Sequence, residues 1–287
     1  MAQSLKYFFS IIVVCLNAGV KLRETVESIR RQSEKDYEVI VKDGVSTDSA
    51  TIRYLEELKK ESLTDSRIRV YRGRKDSGIY DAMNQAVEYV RGDYVFFLNC
   101  GDCFYDDQVL SKVKKQVEIY ARGKSTAQAE DPCIFYGNIC EHLTGTMVQS
   151  NPVIDDFACY RNLPCHQACF YTAGLLRERG FDSAYRVRAD YEHFLWCYYR
   201  RSARLVYMPV TVALYEGGGF SETKENRRRS KREHREITAA YMPAGKLLKY
   251  RMIMLLTLAP VRTWIAENPV MAGGYQWLKR KLYGVRK

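Results

Sequence analysis

The chain has 287 residues, of which 46% are hydrophobic and 28% are charged, and it contains nine cysteines. A chain of this length holds one large domain or two small ones, and its apolar content excludes intrinsic disorder as the default. Nine cysteines are too few for a dense disulfide framework here, so the composition favours a reduced, cytosolic protein. The apolar run near the N-terminus has only Lys6 before it and no small-residue cleavage site after it, so it is interpreted as a buried strand and not as an export signal.

Charge is distributed unevenly along the chain. Residues 1–220 contain 29 Lys and Arg and 29 Asp and Glu, whereas residues 221–287 contain 16 and 5. The C-terminal segment therefore carries the whole net charge of +11. A neutral body with a basic tail indicates an anionic partner for the tail, such as a membrane surface, a nucleic acid or a phosphorylated substrate.

The first half of the chain alternates predicted strands with predicted helices. Its first strand is a continuous apolar run rich in β-branched residues, which is typical of a parallel strand covered on both faces. In chain order the pattern predicts strand Tyr7–Leu16, a helix through Leu22, Val26 and Ile29 that ends near Ser33, strand Tyr37–Val41, helix Asp48–Leu58, strand Ile68–Tyr71, helix Ile79–Arg91 and strand Tyr94–Leu98. This alternation predicts an α/β fold with a mostly parallel sheet and helices on both faces.

The second half is less regular. The pattern predicts strands Cys133–Tyr136 and Ala168–Tyr171, a helix Asp190–Arg201 and an extended segment Leu205–Tyr215. Gly123–Asp131 is predicted to be a surface loop and Gly217–Gly219 a flexible joint. Glu222–Arg235 is predicted to be a solvated helix, because it is too charged to pack.

Polar residues follow the predicted strands where each strand ends. They are Asn17, Asp43, Asp76 and Asn99. In open parallel sheets ligands bind beyond the carboxyl ends of the strands, so these positions predict a ligand crevice. For Asp43 two interpretations stay open: a well-capped strand-turn-helix, or an acceptor of hydrogen bonds from a base or ribose.

Two further carboxylates are candidates for chemistry. Asp102 could hold Mg²⁺ or Mn²⁺ against a diphosphate, since these cations prefer oxygen ligands and take one or two carboxylates together with phosphate oxygens. The alternative is that Asp102 caps the helix that starts near Asp106. Asp190 could serve as a general base or as a helix N-cap, and spacing alone leaves both open.

Taken in order, these motifs resemble glycosyltransferase family 2, and most closely its bacterial polysaccharide branch of the colanic-acid and capsule type. The resemblance covers roughly residues 7–221. The motifs that carry it are Asp43–Asp48, Asp76–Asn84, Gly92–Tyr94 leading to Leu98–Asp102, His166–Gln167, Ala189–Tyr191 and Gly217–Ser221.

The resemblance implies a Rossmann-like GT-A catalytic domain over residues 1–221, followed by a basic helical tail over residues 222–287. Residues 1–105 would form its nucleotide-sugar half and residues 106–221 its acceptor half. The implied reaction is an inverting, cation-assisted transfer from a nucleotide sugar, expected to be a UDP-sugar, to a saccharide acceptor in bacterial surface polysaccharide synthesis. The implied cation is Mg²⁺ or Mn²⁺.

The resemblance also implies roles for individual residues. Asp190 would be the catalytic base and Asp102 the metal ligand. His166, Gln167 and Glu192 would contact the acceptor or the diphosphate. The donor would be bound by Asn17, Asp43, Ser46, Asp76, Gly78, Asp81, Asn84 and Asn99.

The chain departs from the family pattern at several points. Asn99 and Gly101 leave Asp102 as the main carboxylate of the family's Asp-x-Asp motif. Met83 stands where many relatives carry Arg, so one nucleotide contact would be missing or would come from Arg72 or Arg74. The Gln-x-x-Arg-Trp signature of processive synthases is absent from the sequence, which predicts the transfer of one sugar per encounter.

Two other functions are alternatives. A nucleotidyltransferase would share the nucleotide-binding sheet and a metal carboxylate, but it usually has a Gly-rich basic loop where this chain has Asn17–Lys21. A nucleic-acid binder would use the basic tail. Binders of single strands interleave aromatic with basic residues, and the densest basic run, Arg227–Arg235, contains no aromatic residue, so no nucleic-acid partner is expected.

The tail contains a short apolar run, Met252–Val261, whose ten residues fall short of the about 20 needed to span a membrane. Basic and aromatic residues border this run, which favours an interfacial helix on an anionic membrane. The alternative is that Leu255, Leu256 and Leu258 pack on the catalytic domain. The predicted location is cytoplasmic and peripheral on the inner face of the membrane. The family resemblance implies that an acceptor linked to polyprenyl diphosphate would lie there.

Overall fold

The structure is a computed structural model that describes residues 6–123, 131–217 and 223–257. Contacts divide the chain into two compact units, Met1–Ile237 and Thr238–Lys287. The strands in the described ranges are β1 (Tyr7–Cys15), β2 (Tyr37–Asp43), β3 (Ile68–Tyr71), β4 (Gly92–Phe97), β5 (Cys103–Phe104), β6 (Cys133–Glu141), β7 (Thr146–Val148), β8 (Cys169–Thr172) and β9 (Arg204–Tyr215). The helices are α1 (Val20–Arg30), α2 (Ser49–Glu61), α3 (Ile79–Val87), α4 (Val109–Arg122), α5 (Asp156–Arg161), α6 (Ala173–Glu178), α7 (Ala189–Arg201), α8 (Lys224–Tyr241) and α9 (Ala244–Leu256).

The strands form one mixed sheet in the order β3-β2-β1-β4-β8-β6-β9-β5, and β7 pairs with β6. Strands β3, β2, β1 and β4 are parallel, as predicted for the first half of the chain. Strand β8 runs antiparallel to both β4 and β6, whereas β6 and β9 are parallel. The predicted α/β fold is confirmed, and each antiparallel pair (β4–β8, β5–β9, β6–β7 and β6–β8) contains at least one strand from the second half of the chain.

Side chains alternate along β1 between two apolar cores. Phe9, Ile11 and Val13 face the core that includes residues of α1, α2 and α4. Ile12 and Val14 face the core that includes residues of α3, α6 and α7. Because both faces are covered, β1 is apolar at nearly every position, as expected for a parallel strand between two helical layers.

One helix is shorter than predicted. The expected helix Ile79–Arg91 ends at Val87, and Tyr89 then stacks on Tyr71 of β3 with ring centroids 3.6 Å apart. The apolar spacing continues beyond Val87 because Val90 still faces the core from the following loop.

The charged segment after residue 222 forms helix α8, as predicted, but the prediction that it does not pack is wrong. Asn226, Glu233 and Ile237 are buried on one side of α8, whereas Arg228 and Lys231 are exposed. The buried positions are few and two of them are polar, so composition alone did not reveal them. Residues 218–222 lie outside the described ranges, and the domain boundary after Ser221 stays a prediction.

In the second unit, the apolar run Met252–Val261 falls partly on α9 and partly beyond Thr257, outside the described residues. The alternative prediction was that leucines of this run pack on the catalytic domain. Two of them are largely exposed in the structure, Leu255 at 58% and Leu256 at 77%. Within the part of the chain that the structure describes, no helix has both the length and the apolar character needed to cross a membrane.

Candidate active site

The ends of the central strands meet at one edge of the sheet. Cys15 at the end of β1 is in register with Asp43 at the end of β2, and Ile12 of β1 is in register with Phe97 of β4. The segments that follow these strands therefore start side by side. This register brings together the loops that carry Asn17, Asp43 and Asn99.

The loops after β1 and β2 are locked together by hydrogen bonds. Asp43 is fully buried and accepts hydrogen bonds from the Ser46 backbone N–H at 3.1 Å, from the Ser46 hydroxyl at 2.6 Å and from Arg72 Nε at 3.1 Å. Asn17 Oδ1 accepts a hydrogen bond from the Thr47 N–H at 2.8 Å, and the Asn17 N–H donates to the Ser46 hydroxyl at 2.8 Å. The side chains predicted to bind the donor thus order the loops at the edge of the site.

A cavity of about 430 Å³ lies between the end of β1 and the start of α3, and we call it the β1–α3 cavity. Asp76 and Asp81 line it and also shape the turn before α3. Asp76 accepts a hydrogen bond from the Gly78 N–H at 3.2 Å, and Asp81 accepts one from the Ser77 N–H at 2.8 Å. Gly78 has a φ of 144°, a backbone conformation that favours glycine. The lining comprises Val14, Cys15, Leu16, residues 76–82, Ser183, Tyr185 and Arg186.

A larger cavity of about 580 Å³ lies against the turn after β4 and the start of α7, and we call it the central cavity. It shares Ile79 and Tyr80 with the β1–α3 cavity, so the two spaces are neighbours. Its polar lining includes Asn99, Asp102, His166, Gln167, Arg188, Asp190 and Glu216. Five of the residues predicted from the sequence therefore surround one space, although they come from distant parts of the chain.

Asp102 is a buried carboxylate at the wall of the central cavity. It is 4% exposed and accepts hydrogen bonds from the Glu216 N–H at 3.0 Å and from Gln167 Nε2 at 3.1 Å. Burial raises the pKa of Asp102 to about 6, against the opposing effect of these two hydrogen bonds. The alternative role of Asp102 as a helix cap is not observed, because α4 begins after Gln108.

The residues around Asp102 could hold a cation only if a bound ligand supplied further oxygen atoms to it. Among the residues that the structure describes, no group of three or more His, Cys, Asp or Glu side chains could hold a metal ion. The buried Oδ1 of Asn99, however, has no hydrogen-bond partner. One carboxylate and one amide oxygen match the small protein share of an Mg²⁺ or Mn²⁺ site that is completed by phosphate oxygens.

His166 lines the same cavity and has unused hydrogen-bonding capacity. It is 8% exposed, and neither ring nitrogen has a hydrogen-bond partner in the structure. Its ring stacks on Phe97 with centroids 5.2 Å apart. Burial lowers the pKa of His166, so the imidazole is neutral at pH 7 and offers one donor and one acceptor to a ligand.

Asp190 lies in the first turn of α7 and faces the central cavity. Its Oδ1 accepts a hydrogen bond from the Tyr80 hydroxyl at 2.8 Å, and that hydroxyl also contacts the Val187 carbonyl at 2.9 Å. Burial, and then the Asp190 charge, raise the pKa of Tyr80 well above its ordinary value, so Tyr80 remains a hydrogen-bond donor. The start of a helix also stabilises negative charge, which suits a carboxylate at this position.

Five predicted site residues line neither cavity: Asn17, Asp43 and Ser46, which order the loops described above, and Asn84 and Glu192. Asn84 is bound to both backbone groups of Phe181, at 2.8 Å each, and does not line the central cavity. Glu192 forms a partly buried ion pair with Arg179 and also lies outside this lining. The predicted roles of these two residues in binding stay predictions.

Several residues of the site were missed or misplaced at the sequence level. Glu216 directly follows β9, so the rule that polar residues after strand ends mark a ligand site could have identified it. Arg188 was not predicted as a site residue, and it lines the central cavity, as Met83 does. Arg72 is bound to Asp43 and Arg74 to Glu88, and neither lines the central cavity.

Comparison with known proteins identifies the family. The profile of Glycosyl transferase family 2 matches residues 10–123. Over 278 residues the chain is 30% identical to the PGL/p-HBAD biosynthesis glycosyltransferase of Mycobacterium bovis (strain BCG / Pasteur 1173P2), a match that covers 95% of this chain and 98% of that protein. A relative this similar over nearly its whole length shows the family.

Two solved structures show the fold. The structure of S. aureus TarS 1-349 in complex with UDP-GlcNAc superposes with a TM-score of 0.59 at 16% identity, over 77% of this chain and 64% of that one. The mannosyltransferase PcManGT from Pyrobaculum calidifontis, in complex with GDP-Man and Mn²⁺, gives a TM-score of 0.53 at 15% identity, over 98% of this chain and 88% of that one. The chain therefore belongs to glycosyltransferase family 2 and is a glycosyltransferase with a GT-A-like α/β fold.

Proposed function

We propose that the protein is an inverting glycosyltransferase that moves one sugar from a UDP-sugar to a saccharide acceptor in the synthesis of a bacterial surface polysaccharide or glycolipid. The observation that carries this proposal is the central cavity, where Asp102, His166 and Asp190 surround one space. The names of the relatives support the acceptor class, since one acts in PGL/p-HBAD biosynthesis. The UDP-GlcNAc complex of TarS supports the choice of donor.

The donor is proposed to span both cavities. Its nucleoside would occupy the β1–α3 cavity, against Asp76 and the N-terminal turn of α3, where backbone N–H groups favour polar and anionic ligands. Its diphosphate would reach the central cavity past Ile79 and Tyr80, the residues that both cavities share. Arg188 is the arginine that lines the central cavity, and it would supply the positive charge that Met83 does not.

Asp102 and the Oδ1 of Asn99 would hold an Mg²⁺ or Mn²⁺ ion together with the phosphate oxygens of the donor. The cation would neutralise charge on the leaving diphosphate as a Lewis acid. Gln167 would keep Asp102 in place through the hydrogen bond at 3.1 Å. Because the pKa of Asp102 is about 6, protons would compete with the cation for this carboxylate in mildly acidic solution.

Asp190 would act as the general base. The acceptor hydroxyl oxygen attacks the anomeric carbon, the bond from that carbon to the diphosphate oxygen breaks, and the hydroxyl proton passes to the Asp190 carboxylate. Tyr80 would orient Asp190 through its hydrogen bond at 2.8 Å. The neutral imidazole of His166 would bind a sugar hydroxyl, since both of its ring nitrogens lack a protein partner.

The enzyme is further proposed to work at the inner face of the membrane, on a lipid-linked acceptor such as a polyprenyl-diphosphate saccharide. Lys224, Arg228 and Lys231 are exposed on α8 and follow one another at helical spacing. Each basic residue near an anionic leaflet contributes about 1 kcal/mol, so several together would hold the protein at the surface. This location would bring the active site to an acceptor that is confined to the membrane.

Calorimetric titration of the full chain with UDP-, GDP- and dTDP-sugars in the presence of Mn²⁺ tests the proposal. We expect binding of a UDP-sugar and a weaker affinity in Asp76→Asn, which alters the β1–α3 cavity. Asp93→Asn is the control, because Asp93 lies at the opposite end of β4 and pairs with Lys6. Binding of RNA without binding of any nucleotide sugar would contradict the proposal and favour the nucleic-acid alternative.

A further inference from the structure

Helix α8 contains a buried carboxylate that belongs to no part of the site described above. Glu233 is 3% exposed, although it lies in the most basic stretch of the chain. Its Oε1 accepts a hydrogen bond from the Arg186 N–H at 3.0 Å. Its Oε2 accepts hydrogen bonds from the N–H groups of Val187 and Arg188, at 3.0 and 2.9 Å. A single carboxylate therefore satisfies three successive backbone donors.

These three donors precede the helix that carries Asp190. The backbone N–H groups before and at the start of a helix have no partner within it, so an outside acceptor fixes this segment. Val187 is also the residue whose carbonyl contacts the Tyr80 hydroxyl, and that hydroxyl donates to Asp190. The position of the Glu233 carboxylate is thus linked to Asp190 through the backbone and through Tyr80.

Two neighbouring residues of α8 hold the same region. The Arg188 Nε donates to the Ser230 hydroxyl at 2.7 Å and to its carbonyl at 3.1 Å. The ring of His234 lies against Tyr191 with centroids 5.4 Å apart, and its Nε2 lies 2.7 Å from the Tyr160 carbonyl. Contacts from α8 therefore reach residues on both sides of Asp190 in sequence.

We propose that Glu233 is a positioning residue that holds Asp190 in its reactive orientation, and that α8 as far as Ile237 is part of the catalytic unit. Glu233 does not line the central cavity, so it acts through the segment Arg186–Arg188 and not by touching the substrate. This inference rests on the proposed role of Asp190 as the base. It also means that a chain shortened to residues 1–221 would lose a support of the active site.

Steady-state kinetics of Glu233→Ala and Glu233→Gln, with a nucleotide-sugar donor, test this inference. We expect kcat to fall by about 10²-fold in Glu233→Ala, because small misplacements of a catalytic group cost this much. The KM for the donor should change by less than kcat, since of the supported segment only Arg188 is proposed to contact the donor. Glu233→Gln keeps one acceptor oxygen and should fall less. Glu236→Gln, an exposed glutamate on the same helix, is the control. Circular dichroism reports whether each variant is folded. If Glu233→Ala unfolds, the kcat of the near-isosteric Glu233→Gln provides the test.

A folded Glu233 variant with the kcat of the wild type, or with a raised donor KM and unchanged kcat, would overturn the inference. The double variant Asp190→Asn, Glu233→Gln sharpens the test. If Glu233 acts through Asp190, the double variant is no slower than Asp190→Asn alone, because the two losses are not independent. Losses that multiply would refute the role of Glu233. The single variant Asp190→Asn separately tests whether Asp190 is the base.

Discussion

Asp102 is predicted to make the native protein less stable at neutral pH, so Asp102→Asn should be more stable than the wild type. The pKa of Asp102 is raised from 3.8 to about 6 because the carboxylate is buried. A pKa unit corresponds to about 1.36 kcal/mol, so the ionised group costs the native state about 3 kcal/mol at pH 7.5. Between these two pKa values the native state binds more protons than the unfolded state, and stability therefore falls as the pH rises through this window.

The asparagine variant should recover part of this free energy. Its amide can still accept a hydrogen bond from the Glu216 N–H, and Gln167 can turn to accept from the new amide nitrogen. That turn gives up the contact of Gln167 Oε1 with the Cys165 thiol at 2.8 Å, so we expect a net gain of about 1–3 kcal/mol at pH 7.5. At pH 4 the wild-type carboxyl is protonated in the native state, and the gain should be below about 1 kcal/mol. The loss of transfer activity in the same variant would show that the carboxylate is kept for function at the expense of stability.

Urea unfolding of Asp102→Asn and the wild type at pH 7.5 and pH 4 measures this difference. Asp107→Asn is the matched control, because Asp107 is exposed and its ion pair with Arg31 at 3.4 Å contributes at most about 1 kcal/mol. A variant that is less stable than the wild type at pH 7.5, or equally stabilised at both pH values, would refute the reasoning about burial.

Three other predictions follow from the site and from the tail. Transfer should stop in EDTA and return with Mn²⁺ or Mg²⁺, measured as released nucleoside diphosphate, and full activity in EDTA would remove the cation from the mechanism. Tyr80→Phe should lower kcat by about 10- to 150-fold, since a hydrogen bond to a charged group contributes about 1.5–3 kcal/mol, and an unchanged kcat would contradict the orienting role of Tyr80. Replacing Lys224, Arg228 and Lys231 by Gln should reduce flotation with anionic vesicles, since each contributes about 1 kcal/mol; equal flotation would argue against α8 as the membrane contact.

The parallel half of the sheet could be predicted from sequence because its strands are covered on both faces. Strand β1 is apolar at nearly every position for this reason. The edge strand β3 was also predicted with its observed bounds, Ile68–Tyr71, although only Ile68 is buried. The direction of β8 could not be predicted, because an apolar run such as Cys169–Thr172 looks the same in parallel and antiparallel pairing. Topology in the second half therefore needed the structure.

Candidate site residues after strand ends were predictable as a group, whereas the sequence did not separate the roles of the two carboxylates of α7, Asp190 and Glu192. Asp190 faces the central cavity, but Glu192 is two positions further along α7, about 200° around the helix axis, and it pairs with Arg179 instead. Glu233 was missed for another reason. The backbone groups that it binds lie at Arg186–Arg188, far away in sequence, and no local pattern links them.

The central claim, that this glycosyltransferase uses the Asp190 carboxylate as its base, is tested most directly by turnover and donor binding in Asp190→Asn. The substitution keeps the size of the side chain and an acceptor for the Tyr80 hydroxyl, but it removes the group that takes the proton. We predict donor affinity equal to that of the wild type by calorimetry and a kcat lower by about 10²–10⁴-fold. Turnover close to that of the wild type, with the same donor affinity, would contradict the account and assign the base to another residue.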